Sequence, residues 1–157
     1  MRPSTTDILG KPYTAETLAL GEDSEGEVVA TLVRRKAAGR SRKAVLHVHG
    51  FADYFFHTEL AEWWVSRGYD FYAVDLRKFG RSLRSYQTPN YVDDLRDYYP
   101  ELDAAWERIV ERDGHTSVVC SGHSTGGLLL PIWLRERRPD QLTALVLNSP
   151  WLDLDGP

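Results

Sequence analysis

The stretch Val118-Val119-Cys120-Ser121-Gly122-His123-Ser124-Thr125-Gly126-Gly127-Leu128-Leu129 constrains what this chain can fold into more than any other. An apolar run leads into a glycine-flanked serine and then into a second apolar run, which reads as a strand, a tight turn and a helix. Gly122, Ser124 and Gly126 make the G-x-S-x-G pattern of a nucleophile elbow. A chain that turns from strand to helix within a few residues brings its own backbone so close that a Cβ at either glycine would clash. The serine between them is expected in a strained conformation with its hydroxyl exposed. A Gly/Ser turn without chemistry has the same composition, but here the apolar strand before it and the apolar helix after it supply the context that a catalytic serine needs.

The rest of the chain supplies neighbours for that strand. Residues 44–49 and 71–75 are near-continuous apolar runs, as expected of strands buried on both faces of a parallel sheet, and residues 142–147 form another. Residues 13–20 and 28–33 read as two strands joined by the polar turn 21–26, an antiparallel hairpin at the start of the sheet. Thr58 opens a helix with Leu60, Trp63 and Trp64 at helical spacing as its core face and Gly68 as its stop. Apolar residues recur at three and four along 95–110, the clearest amphipathic helix, in which Pro100 marks either a kink or the true start. The helix at 125–137 contains Pro131, where a kink is expected. Between 76 and 90 lies a long loop, and loops of that length in a compact domain are usually functional. Alternating strands and helices specify an α/β fold, a mostly parallel sheet flanked by helices.

Composition narrows the partners. A chain of 157 residues is the size of one domain, and 42% apolar with 27% charged residues is the balance of a folded globular protein. The net charge of -4 offers no footprint for nucleic acid, and the basic runs at 34–36 and 40–43 read as solvated connections. Cys120 is alone, so no internal disulfide forms; it reads as a buried, inert thiol in a reducing compartment. No stretch approaches the ~20 apolar residues of a membrane span. Met1 to Asp7 carries no apolar run of the secretory kind, so a cytoplasmic location is expected. The histidines and carboxylates show no ligand-like cluster, so neither a metal nor an organic cofactor is expected.

Three motifs in order, His49-Gly50-Phe51 after an apolar strand, Asp75 with Gly80 and Ser82 after the next, and Gly122-His123-Ser124-Thr125-Gly126-Gly127, make the chain resemble an α/β-hydrolase. The branch it is most similar to is that of monoacylglycerol lipases, lysophospholipases and related serine esterases. The middle motif departs from that family's D-x-x-G-x-G-x-S pattern, with Lys78 where the first glycine would stand. Asp75 reads as a structural partner of backbone or arginine. The resemblance implies Ser124 as nucleophile, the backbone N–H groups of Phe51 and Thr125 as the oxyanion hole, and a small-molecule acyl ester as substrate. Phe51, Tyr54, Phe55 and Phe56 would suit an apolar substrate portion at the mouth, although core packing accounts for part of that set equally well.

A serine nucleophile needs a histidine base and an acid, which in this fold follow it in the chain. No histidine follows Ser124. His123 diverges from the elbow, His49 is implied to be structural, His47 reads as packed in the core, and His57 and His115 read as a helix start and a loop. Asp153 and Asp155 follow the strand after the elbow, where a surface turn is the better reading. Residues 1–157 are therefore expected to be the N-terminal part of a single domain, truncated after the sixth strand, with the lid, the last strands, the acid and the histidine beyond Pro157. The missing C-terminal part of the same fold is then a partner. Two alternatives stay open: a non-catalytic chain of this fold that binds a ligand or partner, and a hydrolase of amide, peptide or carbon–carbon bonds.

Overall fold

The computed structural model describes residues 4–152; Met1 to Pro3, part of the stretch read for a secretory leader, fall outside it. Seven strands form one sheet: β1 (Thr5–Thr6), β2 (Thr14–Asp23), β3 (Gly26–Arg35), β4 (Lys43–Val48), β5 (Asp70–Asp75), β6 (Ser117–His123) and β7 (Leu142–Asn148). Their spatial order is β1-β2-β3-β5-β4-β6-β7. β5, β4, β6 and β7 run parallel, and β1 to β3 join them through antiparallel pairings. β4, β5 and β6 are buried along almost their whole length, which is why their sequences are apolar without alternation.

The hairpin turn is shorter than expected. β2 and β3 pair out to Asp23 and Gly26, leaving only Ser24 and Glu25 at the tip, and the ladder is irregular between Ala19 and Glu22. Gly21, at φ 90, lets the strand pass through that irregularity instead of turning there.

Helices cover the two faces unequally. Helix α1 (Thr58–Val65) lies on one face, over a cluster that includes Val45, Phe55, Ala61, Phe71, Ala73 and Val119. Helices α2 (Tyr99–Glu107) and α3 (Thr125–Arg137) cover the other, where Leu46, Tyr72, Val118 and Cys120 meet Leu102, Ile109, Leu129 and Trp133. The amphipathic stretch around α2 is not one regular helix. Asp94 caps a 3-10 turn (Leu95–Tyr98), Pro100 sits in the first turn of α2 where its missing N–H costs nothing, and a π turn (Arg108–Arg112) ends the segment. α3 runs unbroken from Thr125 to Arg137 through Pro131. The expected core stripe on α1 is only half right: Leu60 and Trp64 pack on the core, whereas Trp63 is 49% exposed.

Just beyond the π turn, Asp113 ties three elements together. Its carboxylate accepts hydrogen bonds from Arg34 of β3 (2.9 Å), the Tyr72 hydroxyl of β5 (2.7 Å) and Arg112 (2.9 and 3.0 Å). Burial works against its ionisation, but the bonds from Arg112 and Tyr72 outweigh that and hold it well below the usual carboxylate range. A depressed folded value means that the stabilisation is complete above the unfolded value of about 3.9 and is lost as pH falls through the folded one. Urea midpoints should therefore decline on acidification below about pH 4, and Asp113→Asn should both lower the neutral-pH midpoint and flatten that decline.

Candidate active site

The elbow is built as its glycines require. Ser124 has φ 50 and ψ −113, a region that L-residues rarely adopt. A Cβ on Gly122 would lie 2.7 Å from the Gly126 carbonyl oxygen, and one on Gly126 would lie 2.4 Å from the Val48 oxygen and 2.6 Å from that of His49. Glycine at 126 thus lets the first turn of α3 sit against the end of β4. The strained serine is held by backbone on both sides: its N–H donates to the Asn148 carbonyl (3.1 Å), and its carbonyl accepts from Gly127 (2.9 Å) and Trp151 (3.0 Å). No described residue hydrogen-bonds its hydroxyl.

The loop after β4 comes next to it. A Cβ on Gly50 would lie 3.1 Å from that of Ser124, which brings Phe51 beside the elbow. His49 fixes this approach. Its Nε2 accepts the Leu76 N–H (3.1 Å), so Nδ1 carries the proton and donates to the Gly50 carbonyl (2.8 Å). Burial pushes its pKa down and keeps the ring neutral. Asp75, fully buried at the end of β5, accepts from the N–H groups of Phe55 (2.9 Å) and Arg81 (3.1 Å) and from the Arg81 guanidinium (2.8 Å). Arg81 also reaches Asp7 and the Phe55 carbonyl. Asp75 is therefore the structural partner expected of it, anchoring residues 51–56 from below. Ser82, the last residue of that middle motif, hydrogen-bonds the Asp75 carbonyl and the Thr31 hydroxyl.

Beside these groups opens a cleft of about 390 Å³. Phe51 and Thr125 line one end, Leu76, Phe79, Leu95 and Tyr98 are the apolar lining, and residues 88–92 and Trp151 form further wall. The Thr125 hydroxyl is buried without a hydrogen-bond partner among the described residues. The expected aromatic mouth splits in three. Phe51 is 63% exposed at the cleft, Tyr54 and Phe56 are exposed but do not line it, and Phe55 is buried against Phe71, with ring centroids 5.3 Å apart.

Comparison with known proteins identifies this architecture. The family model described as serine aminopeptidase, S33, matches residues 39–157. The chain belongs to this family of α/β hydrolases. It is 30% identical over 118 residues to phospholipase YtpA of Bacillus subtilis (strain 168), covering 74% of this chain and 44% of YtpA. Two solved structures resemble it in fold. One is a thermostable carboxyl esterase from Bacillus coagulans (TM-score 0.69, 16% identity, 85% of this chain and 43% of that one). The other is Est1E from Butyrivibrio proteoclasticus, solved with ferulic acid (TM-score 0.67, 21% identity, 85% and 53%). The S33-family chain thus spans about half the length of its relatives or less.

Four of the five histidines of this S33-family chain hydrogen-bond away from Ser124, and the Nδ1 of the fifth, His57, is buried without a partner among the described residues. His47, buried on β4, faces Ser121 at 3.2 Å, and burial lowers its pKa to about 3. His115 meets the Tyr72 hydroxyl at 3.0 Å. His123 turns to Asn148, its Nδ1 lying 3.2 Å from the backbone oxygen. His57 stacks on Phe56. His47, His57 and His123 line a common cavity of about 270 Å³ on the α1 face, which adjoins a larger apolar groove of about 600 Å³ between α1 and β7. Among the described residues no group of three or more His, Cys, Asp or Glu is placed to hold a metal ion, and no helix is long and apolar enough to cross a membrane. Asp153 and Asp155 lie outside the described residues. The role of Arg81 is not apparent from the sequence; a cluster of cations inside the long loop after β5 is its only trace.

Strain at the elbow has a measurable consequence for stability. Ser124→Gly removes the penalty of a positive φ and should raise unfolding free energy by about 1 kcal/mol. Gly126→Ala should lower it by at least 1–3 kcal/mol, roughly the cost of overpacking against fixed backbone. Paired thermal melts of the two variants check both signs.

Proposed function

We propose that this chain is the nucleophile-bearing part of a cytoplasmic serine hydrolase that cleaves carboxylic esters through an acyl-enzyme on Ser124. One observation carries the reading: a strained serine at the start of a 13-residue helix stands beside an apolar cleft that Thr125 and Phe51 both line. Ser124 Oγ attacks the ester carbonyl carbon, and its proton passes to a histidine base and then to the departing alcohol. The backbone N–H groups of Thr125 and Phe51 stabilise the oxyanion, aided by the positive end of the α3 dipole. Water then opens the acyl-enzyme through the same base.

The base and its acid are contributed by polypeptide outside these residues. Two facts support this: four of the five histidines hydrogen-bond elsewhere while His57 stacks on Phe56, and the chain matches less than half of YtpA. That remaining polypeptide, completing the fold around the elbow, is the chain's partner. The phospholipase and esterase relatives favour an ester, whereas the family's description as a serine aminopeptidase names the competing substrate class.

A fluorophosphonate probe tests the reading. The full-length native protein should label, and Ser124→Ala should abolish labelling. Residues 1–157 alone should hydrolyse a short p-nitrophenyl ester at least about 10,000-fold more slowly than the full-length enzyme, the scale of losing a triad member. Absence of labelling in the full-length protein would sink the mechanism, and faster turnover of an aminoacyl amide than of the ester would replace the substrate class.

A further inference from the structure

Lys78 stands where the family pattern has glycine, in a left-handed conformation (φ 62) that disfavours any side chain. That side chain is nevertheless 4% exposed, with Nζ 2.7 Å from Asp23 Oδ2 and also bonded to Glu25, both at the tip of the β2–β3 hairpin. Burial opposes its charge, but the bonds it donates to Asp23 and Glu25 outweigh that and keep it cationic. The second oxygen of Glu25 accepts the Thr88 N–H (2.9 Å) and the Thr88 hydroxyl (2.6 Å). The Lys78 carbonyl accepts the Asn90 N–H at 3.0 Å. Glu27 takes the Tyr86 hydroxyl (2.8 Å) and the Gln87 amide (3.1 Å) on its backbone oxygen.

These bonds converge on one short segment. Residues 86–90 have no regular secondary structure of their own, and they lead into the wall of the cleft at residues 88–92. A hairpin distant in sequence is thus bonded directly to the segment that leads into that wall. The cleft, at about 390 Å³, is at the small end of ligand pockets, which run from roughly 300 to 1,000 Å³. Its lining by Leu76, Phe79, Leu95 and Tyr98 suits an apolar chain rather than a charged group.

We propose that Lys78 and Glu25 are positioning residues that hold the wall of an acyl-binding subsite and thereby set which acyl chain length fits beside Thr125. The substrate class rests on the ester-hydrolase reading; the coupling of the hairpin to the wall does not. If the wall is held as proposed, octanoyl-sized chains are expected to fit beside it and longer ones to require it to yield.

The test uses the full-length native protein, with octanoate and dodecanoate as probes in calorimetric titrations and amide hydrogen exchange over residues 86–92. Lys78→Gly removes the ion pairs while relieving the backbone, so it is not a folding risk of the usual kind. It and Glu25→Gln should each lower the ratio of octanoate to dodecanoate affinity about fivefold and speed exchange of the wall about tenfold, with the elbow peptides unchanged. Lys78→Arg should restore both. An unchanged ratio with unchanged exchange in Lys78→Gly would overturn the positioning role, and octanoate failing to bind wild type would overturn the acyl subsite. Failed fluorophosphonate labelling with these responses intact would count against the esterase mechanism alone.

Discussion

The absence of a side chain at Gly126 is the constraint on which the site depends. A Cβ there would stand 2.4 Å from a carbonyl of β4, so α3 could not begin where it does. Because it does begin there, Thr125 heads a helix at the C-terminal edge of the parallel strands, and Ser124 is the single residue between β6 and α3. The resulting strain is shared out over ordinary backbone hydrogen bonds to Asn148, Gly127 and Trp151. Stability is lowered locally so that one hydroxyl is presented without a competing partner.

Around that turn, polar and charged side chains do the positioning that apolar packing does not. Asp75 and Arg81 fasten the loop carrying Phe51, His49 fastens Gly50, and Lys78 with Glu25 fastens the opposite wall of the cleft. All three use groups at or beyond the ends of strands, where side chains leave the sheet and must find polar partners. Four of the five histidines are likewise committed to hydrogen bonds within the scaffold, and His57 stacks on Phe56.

Much of this is legible in the sequence, and the reason is periodicity. Unbroken apolar runs mark β4, β5 and β6, and G-x-S-x-G marks the elbow once a strand before it and a helix after it supply the context. The sidedness of α1 is not legible. Leu60, Trp63 and Trp64 share helical spacing, yet Trp63 faces the open groove beside β7, since spacing identifies a face without saying what covers it. The irregular ends of α2 escape for a similar reason: a 3-10 turn, an α-helix and a π turn all place apolar residues three to five apart. Long-range polar contacts such as Lys78 to Glu25 leave only a charge in a loop, and a glycine replaced by lysine looks like a departure from pattern until its partners are seen.

The account stands or falls on a covalent bond to one oxygen atom. Acid-quenching the full-length native protein during turnover of a p-nitrophenyl ester, followed by peptide mass mapping, tests it directly. An acyl adduct is expected on the peptide containing Ser124, formed in a burst and lost on a chase with water alone. Steady hydrolysis with the adduct on another residue, or with no adduct under conditions that trap a known acyl-enzyme, would contradict it.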